Sequence, residues 1–247
     1  KTTGKKWQDV RTAINKAKRD GITDVQSTFL ESPLEVREQI EDISEEWAQL
    51  KALPEMKFTL GGVEELRDPR VRLLYAVDAD GRVLGVTSWL PTWRDGRVIG
   101  WTLDFMRHRT DSPNGIMEFL IARMAERLRD EGAADPERAA EFMSLSAAPL
   151  AGMNPERDNA GEGGAPAGEG TQVLQHALQI VADWMEPAYG FHSLFNFKRK
   201  FQPTEAPVYV CYPDPAALPQ IGLAVVRAYV PSVTPAEVAG MLSTLRS

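Results

Sequence analysis

Three consecutive apolar runs, separated by two Asp-Gly pairs, constrain the fold of this chain more than any other feature of its sequence. The runs are rich in β-branched and aromatic residues and cover positions 71–77, 82–90 and 97–106. Asp-Gly between two such runs is a strong signal for a β-hairpin, and the pairs here are Asp80-Gly81 and Asp95-Gly96. The pattern predicts an antiparallel β-meander and not a series of βαβ units.

Helical periodicity surrounds this meander on both sides. Apolar residues at spacings of three and four predict helices over 5–20, 34–50, 115–130, 172–187, 216–229 and 234–245. Gly21 is a typical residue just beyond a helix end, and Ser112 followed by Pro113 predicts the N-cap and first position of the third helix. Short strands are predicted over 142–147 and 207–212.

The order of these elements predicts an α+β (mixed α/β) fold. A basic helix comes first, and a central, mostly antiparallel, splayed sheet flanked by helices follows it. This order matches the GNAT-like acyltransferase fold. Positions 151–172 contain six glycines and two prolines, so we expect a flexible loop there.

Composition excludes several classes of protein. Of the 247 residues, 43% are hydrophobic and 26% are charged, which is typical of a globular chain and not of a disordered one. A single cysteine, Cys211, excludes a disulfide framework, and the three histidines lack partners at ligand spacing, so no metal is expected. No apolar run is long enough to predict a transmembrane segment. Because the sequence starts at Lys1, we expect it to be a piece of a longer protein.

The charge of the chain is unevenly distributed. The formal net charge is −7, yet residues 1–19 carry seven cations against Asp9 alone and therefore have a net charge of +6. The cations that lie off the apolar stripe of the predicted helix are Lys6, Arg11, Lys18 and Arg19. Such a helix can bind a nucleic-acid backbone or an anionic membrane, and the plainer interpretation is a solvated surface.

The segment 101–115 is the first candidate for a functional site. Strand alternation divides the strand before it into two faces, with Ile99, Trp101, Leu103 and Phe105 on one and Thr102, Asp104 and Met106 on the other. A carboxylate inside an apolar strand is costly, so Asp104 is a candidate for binding a substrate ammonium. Arg107, Arg109 and the helix start after Pro113 are candidates for binding a phosphate. The plainer interpretation is an ion pair of Asp104 with Arg107.

The segment 191–201 is the second candidate. Its sequence, FHSLFNFKRKF, surrounds Lys198, Arg199 and Lys200 with aromatic residues. A lysine in such surroundings can stabilise an oxyanion or bind a phosphate, because a low dielectric strengthens its field. The plainer interpretation is a core segment whose lysine ammonium groups reach solvent.

Three segments resemble the catalytic domain of aminoacyl-phosphatidylglycerol synthases, the multiple peptide resistance factor family. They are LDFMRHRTDSPNGIMEFLI (103–121), FMSLSAAPLAG (142–152) and FHSLFNFKRKFQPTEAPVYVCYPDPAALPQIGLAVVRAY (191–229). The segment GKKWQDVRTAINKAKRDGI (4–22) is similar to the basic helix at the start of the C-terminal half of that domain. The motifs follow the family's order and cover most of the chain.

The resemblance implies a complete domain of two tandem GNAT-like folds, related to the Fem peptidyl transferases. For this chain it implies a basic linking helix over 1–22 and a GNAT-like catalytic domain over 23–247, with the first fold and a membrane anchor outside it. The implied reaction transfers a lysyl or alanyl group from aminoacyl-tRNA to the glycerol hydroxyl of phosphatidylglycerol. The implied partners are aminoacyl-tRNA and an anionic membrane surface, at the cytoplasmic face of the cell membrane, and no cofactor is implied.

The family motifs also imply which residues act. Asp104 and Arg107 stand in the D-x-M-R motif, and Lys198 and Lys200 stand in the F-K-x-K-F motif. Asp104 is implied to bind the donor's α-ammonium or to orient the attacking hydroxyl, and Arg107 to bind the lipid phosphate. Lys198 or Lys200 is implied to stabilise the tetrahedral oxyanion or to bind the terminal tRNA phosphate.

The other implied contacts are to substrate. Arg109 and the P-N-G residues Asn114 and Gly115 are expected to bind the acceptor or the donor. The cations of the basic helix are expected to bind tRNA or lipid, and they are Lys6, Arg11, Lys18 and Arg19. An aminoacyl ester is already reactive, so positioning and electrostatics can carry the reaction without an activated nucleophile.

Two other functions stay open at this point. One is a GNAT-like N-acyltransferase that uses acyl-CoA, which the sequence disfavours because the Q/R-x-x-G-x-G/A pyrophosphate loop is replaced by RTDSPNG at 109–115. The other is a non-catalytic module that binds membrane or RNA and keeps the fold alone.

Overall fold

The structure of the chain, a computed structural model, describes residues 4–49, 61–147, 191–206, 211–217, 220, 221 and 224. Its contacts divide the chain into two compact units. The described part of the first unit comprises 4–49, 61–146 and 200–203, and the described part of the second comprises the remaining described residues.

A five-stranded sheet forms the centre of the first unit. Its strands are β1 (Thr23–Ser27), β2 (Arg72–Val77), β3 (Val83–Arg94), β4 (Arg97–His108) and β5 (Phe142–Ser144). They lie in sequence order, with antiparallel pairing throughout except between β4 and β5, which are parallel. The α+β class, the antiparallel meander and the GNAT-like order of elements are thus confirmed.

Both predicted hairpin turns are present. Arg94 pairs with Arg97 across the second turn, and the residues between them have positive φ, 51° at Asp95 and 76° at Gly96. Two consecutive positive φ values match the twist of the flanking strands, and Asp-Gly adopts them readily. In the first turn, the Asp78 side chain accepts hydrogen bonds from the backbone N–H groups of Asp80 and Arg82.

The strand β1 was missed by the sequence pattern because it is polar. Its sequence is TDVQS, and no apolar alternation marks it. The carboxylate of Asp24 is buried between two arginines of a distant helix, 2.6 Å from Nε of Arg123 and 2.6 Å from Nε of Arg127. Long-range ion pairs therefore stabilise this strand, together with the packing of Val25 against the core.

Three helices pack around the sheet: α1 (Gln8–Arg19, after a 3₁₀ turn over Lys5–Trp7), α2 (Leu34–Gln49) and α3 (Ile116–Ala134). One core cluster contains Ile40 and Ile43 of α2 together with Leu73, Val86 and Phe105 of the sheet. On the other side of the sheet, Arg72 of β2 pairs with Glu131 of α3 at 2.9 Å. The helices α2 and α3 thus cover opposite faces.

A β-bulge in β4 changes which side chains share a face. Thr87 pairs with Met106 and Trp89 pairs with Leu103, so Asp104 and Phe105 together oppose the single residue Ser88. The Ser88 hydroxyl accepts a hydrogen bond of 3.0 Å from the Phe105 N–H, which the bulge removes from the ladder.

The predicted strict alternation of β4 is therefore wrong at this point. The ring of Trp101 contacts the Arg72 guanidinium on the α3 side, whereas Phe105 packs in the cluster under α2. The extra residue reverses the alternation between these positions, because the side-chain period of a strand is two. Asp104 consequently lies on the α2 side with Phe105.

The predicted N-cap of α3 is also wrong. Gly115, with φ 93°, is the N-cap, and α3 begins at Ile116 and ends four residues later than predicted, at Ala134. The Ser112 hydroxyl instead donates to the Leu84 carbonyl. A Cβ added to Gly115 would lie 2.9 Å from the Cβ of Ala13, so α1 and α3 approach closely here and only glycine fits both the angle and the space.

The described part of the second unit contains the helix α4 (Phe191–Arg199), a 3₁₀ turn over Pro215–Ala217 and the helical residues 220, 221 and 224. The glycine-rich segment 151–172, the predicted helices 172–187 and 234–245, and most of the predicted strand 207–212 and helix 216–229 lie outside the described residues. In the part of the chain that the structure describes, no helix combines the length and apolarity needed to cross a membrane.

Candidate active site

The carboxylate of Asp104 is the centre of the candidate site. It is half-buried on the α2 side of the sheet and accepts a hydrogen bond from the backbone N–H of Gly61. Burial raises the pKa of the Asp104 carboxyl, and the nearby charge of Glu65 raises it further; the Gly61 N–H and the charge of Arg107 oppose this shift. A carboxyl in such surroundings is suited to accept a proton or to bind an ammonium group.

Arg107 lies on the same side of β4, held between two aromatic rings. Its guanidinium carbon is 3.5 Å from the ring centroid of Trp47 in α2 and 4.8 Å from that of Phe105. The residue is 9% exposed, and Nη1 donates to the Met106 carbonyl at 3.0 Å. Stacking fixes this cation close to Asp104 in a weakly hydrated place, where its field is stronger than at the surface.

Lys200 contacts the first turn of α3. Its Nζ lies 2.8 Å from Oε1 of Glu118, a carboxylate whose side chain is 13% exposed. Lys200 and Glu118 both belong to the first unit. The predicted catalytic ammonium of Lys200 is thus already paired with a carboxylate in this structure.

Lys198 is a buried cation of the second unit. It is 8% exposed, and its Nζ donates a hydrogen bond of 2.7 Å to the carbonyl of Ala147, which belongs to the same unit. Burial lowers the pKa of the Lys198 ammonium from 10.5 to about 8. Near neutral pH the group can therefore both carry a charge and release a proton.

The shifted pKa of Lys198 predicts a pH-dependent cost to stability. Below about pH 8 the fold holds a buried charge, and between about pH 8 and 10.5 the unfolded state binds more protons, so stability rises with pH. We expect Lys198→Met to raise the free energy of unfolding at pH 7 by about 2 kcal/mol. The gain should fade as the pH approaches 10.5, as measured by urea unfolding.

The matched variant is Lys200→Met, which removes an ammonium paired with Glu118 and should therefore lower stability at pH 7. An unchanged or lower stability of Lys198→Met at pH 7 would contradict the assigned burial cost.

The remaining predicted substrate-binding residues lie at the start of α3 and just before it. Arg109 donates from Nε to the Val83 carbonyl at 2.9 Å, which ties the end of β4 to β3. Asn114 is exposed, and Gly115 contacts Ala13 of α1. A small cavity of about 10 Å³ lies beside them, lined also by Lys16. The structure thus places Asn114 and Gly115 at the junction of α1 and α3.

The basic helix exposes three of the four cations for which the periodicity predicts exposure. Val10, Ala13, Ile14 and Ala17 are buried, and Lys6, Lys18 and Arg19 are exposed. Arg11 is half-buried, and its Nη1 donates to the Gly4 carbonyl at 2.6 Å. Lys16 pairs with Asp20 at 3.1 Å.

Four residues next to the candidate site were missed by the sequence analysis, namely Trp47, Gly61, Glu65 and Glu118. Each reaches Asp104, Arg107 or Lys200 from an element distant in sequence. A Gly-Gly pair at 61–62 was the one local signal available, because two adjacent glycines allow a close approach of backbone to a side chain.

Among the described residues, no group of three His, Cys, Asp or Glu side chains forms a potential metal site.

Comparison with known proteins gives a family match over most of the chain. The family model described as "Phosphatidylglycerol lysyltransferase, C-terminal" matches residues 1–212. An uncharacterized protein of Corynebacterium glutamicum is 41% identical over 227 residues, which are 92% of this chain and 26% of that protein. The lysylphosphatidylglycerol biosynthesis bifunctional protein LysX of Mycobacterium ulcerans is 27% identical over 228 residues, 92% of this chain and 19% of LysX.

The chain thus spans about a quarter of the first of these relatives and about a fifth of the second.

Two solved structures share its fold. L-PGS from Bacillus licheniformis superposes with a TM-score of 0.68 at 21% identity, covering 93% of this chain and 62% of that one. The C-terminal domain of a putative lysylphosphatidylglycerol synthetase from Agrobacterium fabrum has a TM-score of 0.65 at 21% identity, and the match covers 94% of this chain and 63% of that one.

Proposed function

Because the chain belongs to the phosphatidylglycerol lysyltransferase C-terminal family, we propose that it supplies the aminoacyl-transfer site of an enzyme acting on phosphatidylglycerol. The donor is an aminoacyl-tRNA, and the acceptor is the glycerol hydroxyl of the lipid headgroup. The lysyl group is the first candidate, because LysX and the Agrobacterium fabrum protein are named for lysylphosphatidylglycerol. An alanyl group is the alternative that the experiment distinguishes.

The half-buried carboxylate of Asp104 is the observation that carries this proposal. A bulge places it on the apolar α2 side of β4, where burial and Glu65 raise its pKa. A carboxylate with a raised pKa is a better proton acceptor than a solvated one. It can take the proton of the attacking hydroxyl and return it to the ribose oxygen of the tRNA as the old ester bond breaks, or it can hold the donor's α-ammonium. The stacked Arg107 adds a fixed positive charge on the same side of the strand, suited to the lipid phosphate.

The two lysines of the F-K-x-K-F motif complete the proposal. Lys198 stabilises the oxyanion of the tetrahedral intermediate or binds the terminal phosphate of the tRNA, and its lowered pKa also allows it to release a proton. Lys200 orients the start of α3 through Glu118. Asn114, Gly115 and Arg109 stay proposed substrate contacts near that helix start. The reaction takes place at the cytoplasmic face of a membrane, where charged tRNA is available.

The proposal is tested by incubating the chain with phosphatidylglycerol vesicles and tRNA charged with labelled lysine or labelled alanine. We expect label in the lipid fraction with one of the two amino acids. Transfer from labelled acetyl-CoA to a soluble amine would instead support an acyl-CoA-dependent enzyme. Vesicle or tRNA binding without transfer of either label would support a non-catalytic module.

The basic helix gives the proposed enzyme a second test. Replacing Lys6, Arg11, Lys18 and Arg19 with Gln should weaken binding to phosphatidylglycerol vesicles or tRNA about 1000-fold, because each of the four cations near anionic lipid contributes about 1 kcal/mol. The salt dependence should flatten as well, since fewer counterions are released. Vesicle co-sedimentation and tRNA filter binding at two salt concentrations measure both effects.

A matched control removes four exposed arginines elsewhere in the first unit, Arg70, Arg82, Arg129 and Arg138. Equal weakening in the two variants would mean that net charge, and not the helix, determines binding.

A further inference from the structure

A short turn crosses over Asp104 and holds it from outside the sheet. This turn, which we call the Gly61 turn, comprises residues 61–67 and ends in the 3₁₀ turn Glu65–Arg67. The Gly61 N–H donates a hydrogen bond to the Asp104 carboxylate. Gly61 is itself buried, so this bond is shielded from competing water.

Only glycine fits at position 61. A Cβ built on Gly61 would overlap Oδ2 of Asp104, and Cγ of the same side chain would also be in the way. Because the obstructing atoms belong to a short side chain fixed on a strand, either the carboxylate or the turn would have to move. Gly62 differs sharply: a Cβ there would lie 3.1 Å from Oε2 of Glu65, the far end of a longer side chain.

The Gly61 turn is anchored by its own residues. Oε2 of Glu65 accepts a hydrogen bond of 2.8 Å from the Gly62 N–H, which fixes the peptide next to Gly61. Leu66 is fully buried in the cluster under α2. Arg67 pairs with Glu41 of α2 at 3.0 Å, and its guanidinium lies 5.3 Å from the ring centroid of Phe29. The turn is thus tied to the same helix that supplies Trp47 to Arg107.

We propose that Gly61 is a positioning residue, which fixes the Asp104 carboxylate for the transfer reaction through its N–H and its missing side chain, and that Glu65 holds Gly61 in place. The catalytic consequence of this inference rests on the proposed function. The contact between Gly61 and Asp104 does not depend on that function. The charged groups that face Asp104 are Glu65 on the Gly61 turn and Arg107 on its own strand.

The test compares Gly61→Ala with Gly62→Ala in the charged-tRNA and vesicle assay. Gly61→Ala should lower kcat about 100-fold with a much smaller change in KM, because displacing a catalytic group by about 1 Å costs that much in rate. Gly62→Ala should retain most of the activity. Urea unfolding checks that both variants fold.

A second readout does not depend on activity. Carbon-13 NMR of labelled aspartate follows the titration of the Asp104 carboxyl directly. Gly61→Ala should raise the pKa of Asp104, because the N–H that stabilises the charged form is displaced, and Gly62→Ala should leave it unchanged. Glu65→Gln should lower the pKa of Asp104, because it removes a neighbouring negative charge and keeps an oxygen for the Gly62 N–H.

The two readouts separate the inference from the function. If Gly61→Ala has the same Asp104 pKa and the same kcat as the wild type, the positioning role is overturned, whatever the reaction is. A second outcome is that the variants shift the pKa of Asp104 as expected while the wild-type chain transfers no aminoacyl group. That pair of results would support the contact between Gly61 and Asp104 and reject the proposed function. If Gly61→Ala does not fold, the comparison of Glu65→Ala with Glu65→Gln decides, because both side chains are neutral and only Gln keeps the acceptor for the Gly62 N–H. An Asp104 pKa that is the same in these two variants overturns the inference.

Discussion

Asp104→Asn should lower the rate of aminoacyl transfer to phosphatidylglycerol about 100- to 10,000-fold, the usual loss when a positioned proton acceptor is removed. The substitution keeps the shape of the side chain and an oxygen that can accept the Gly61 N–H. It removes the negative charge that would bind an ammonium or take the proton of the attacking hydroxyl. The measurement is single-turnover transfer of label from charged tRNA to vesicles.

The same variant should not lose stability. Because the pKa of Asp104 is raised in the folded state, the fold disfavours the charged carboxylate, and this cost is present above the folded pKa and disappears as the pH falls below its ordinary value of 3.8. Asp104→Asn should therefore unfold at the same or a higher urea concentration than the wild type at pH 7. Asp130→Asn, at an exposed pair with Arg129, is the control and should change neither property. An active Asp104→Asn would remove Asp104 from the mechanism.

Asp24→Ala is expected to have the largest effect on stability. The Asp24 side chain is 7% exposed and is held at 2.6 Å by Arg123 and by Arg127, whose Nη2 also donates to the Asp24 carbonyl at 3.0 Å. Removing one partner of a buried ion network leaves charges without compensation. We expect a loss of about 3 kcal/mol in the free energy of unfolding, at the lower end of the usual range because both arginines reach solvent.

Urea unfolding at pH 7 measures this loss, and Asp130→Ala provides the matched control. The Asp130 carboxylate lies 2.7 Å from Nη2 of Arg129, but both side chains are about two-thirds exposed. A much smaller loss is expected there, because solvent screens an exposed pair and the pair restricts two long side chains. Similar losses in the two variants would show that burial does not determine the strength of the Asp24 network.

The local features of the fold could be predicted from the sequence. The strands β2, β3 and β4 and the turns between them follow from β-branched runs and Asp-Gly pairs, which act over a few residues. The helices α1 and α2 follow from apolar spacing in the same way. Asp104 and Arg107 could be chosen as candidates because charges inside an apolar strand are unusual.

The surroundings of Asp104 could not be predicted, because they depend on contacts between distant segments. The bulge is defined by how β4 pairs with β3, and nothing within 97–108 alone indicates that Ser88 opposes two residues. Trp47 and Glu65 reach the site from other elements. The strand β1 was missed for the same reason, since Asp24 is compensated by arginines 99 and 103 positions away.

The bulge in β4 has a consequence for how such a site can arise in a protein lineage. Asp104 and Phe105 share one opposing residue, and the pairs next to this bulge, Thr87 with Met106 and Trp89 with Leu103, keep ordinary spacing. A single inserted residue is enough to turn a carboxylate towards α2 while Phe105 still fills the core. One codon gained or lost opposite Ser88 therefore decides whether a carboxylate and a core aromatic ring can both face α2.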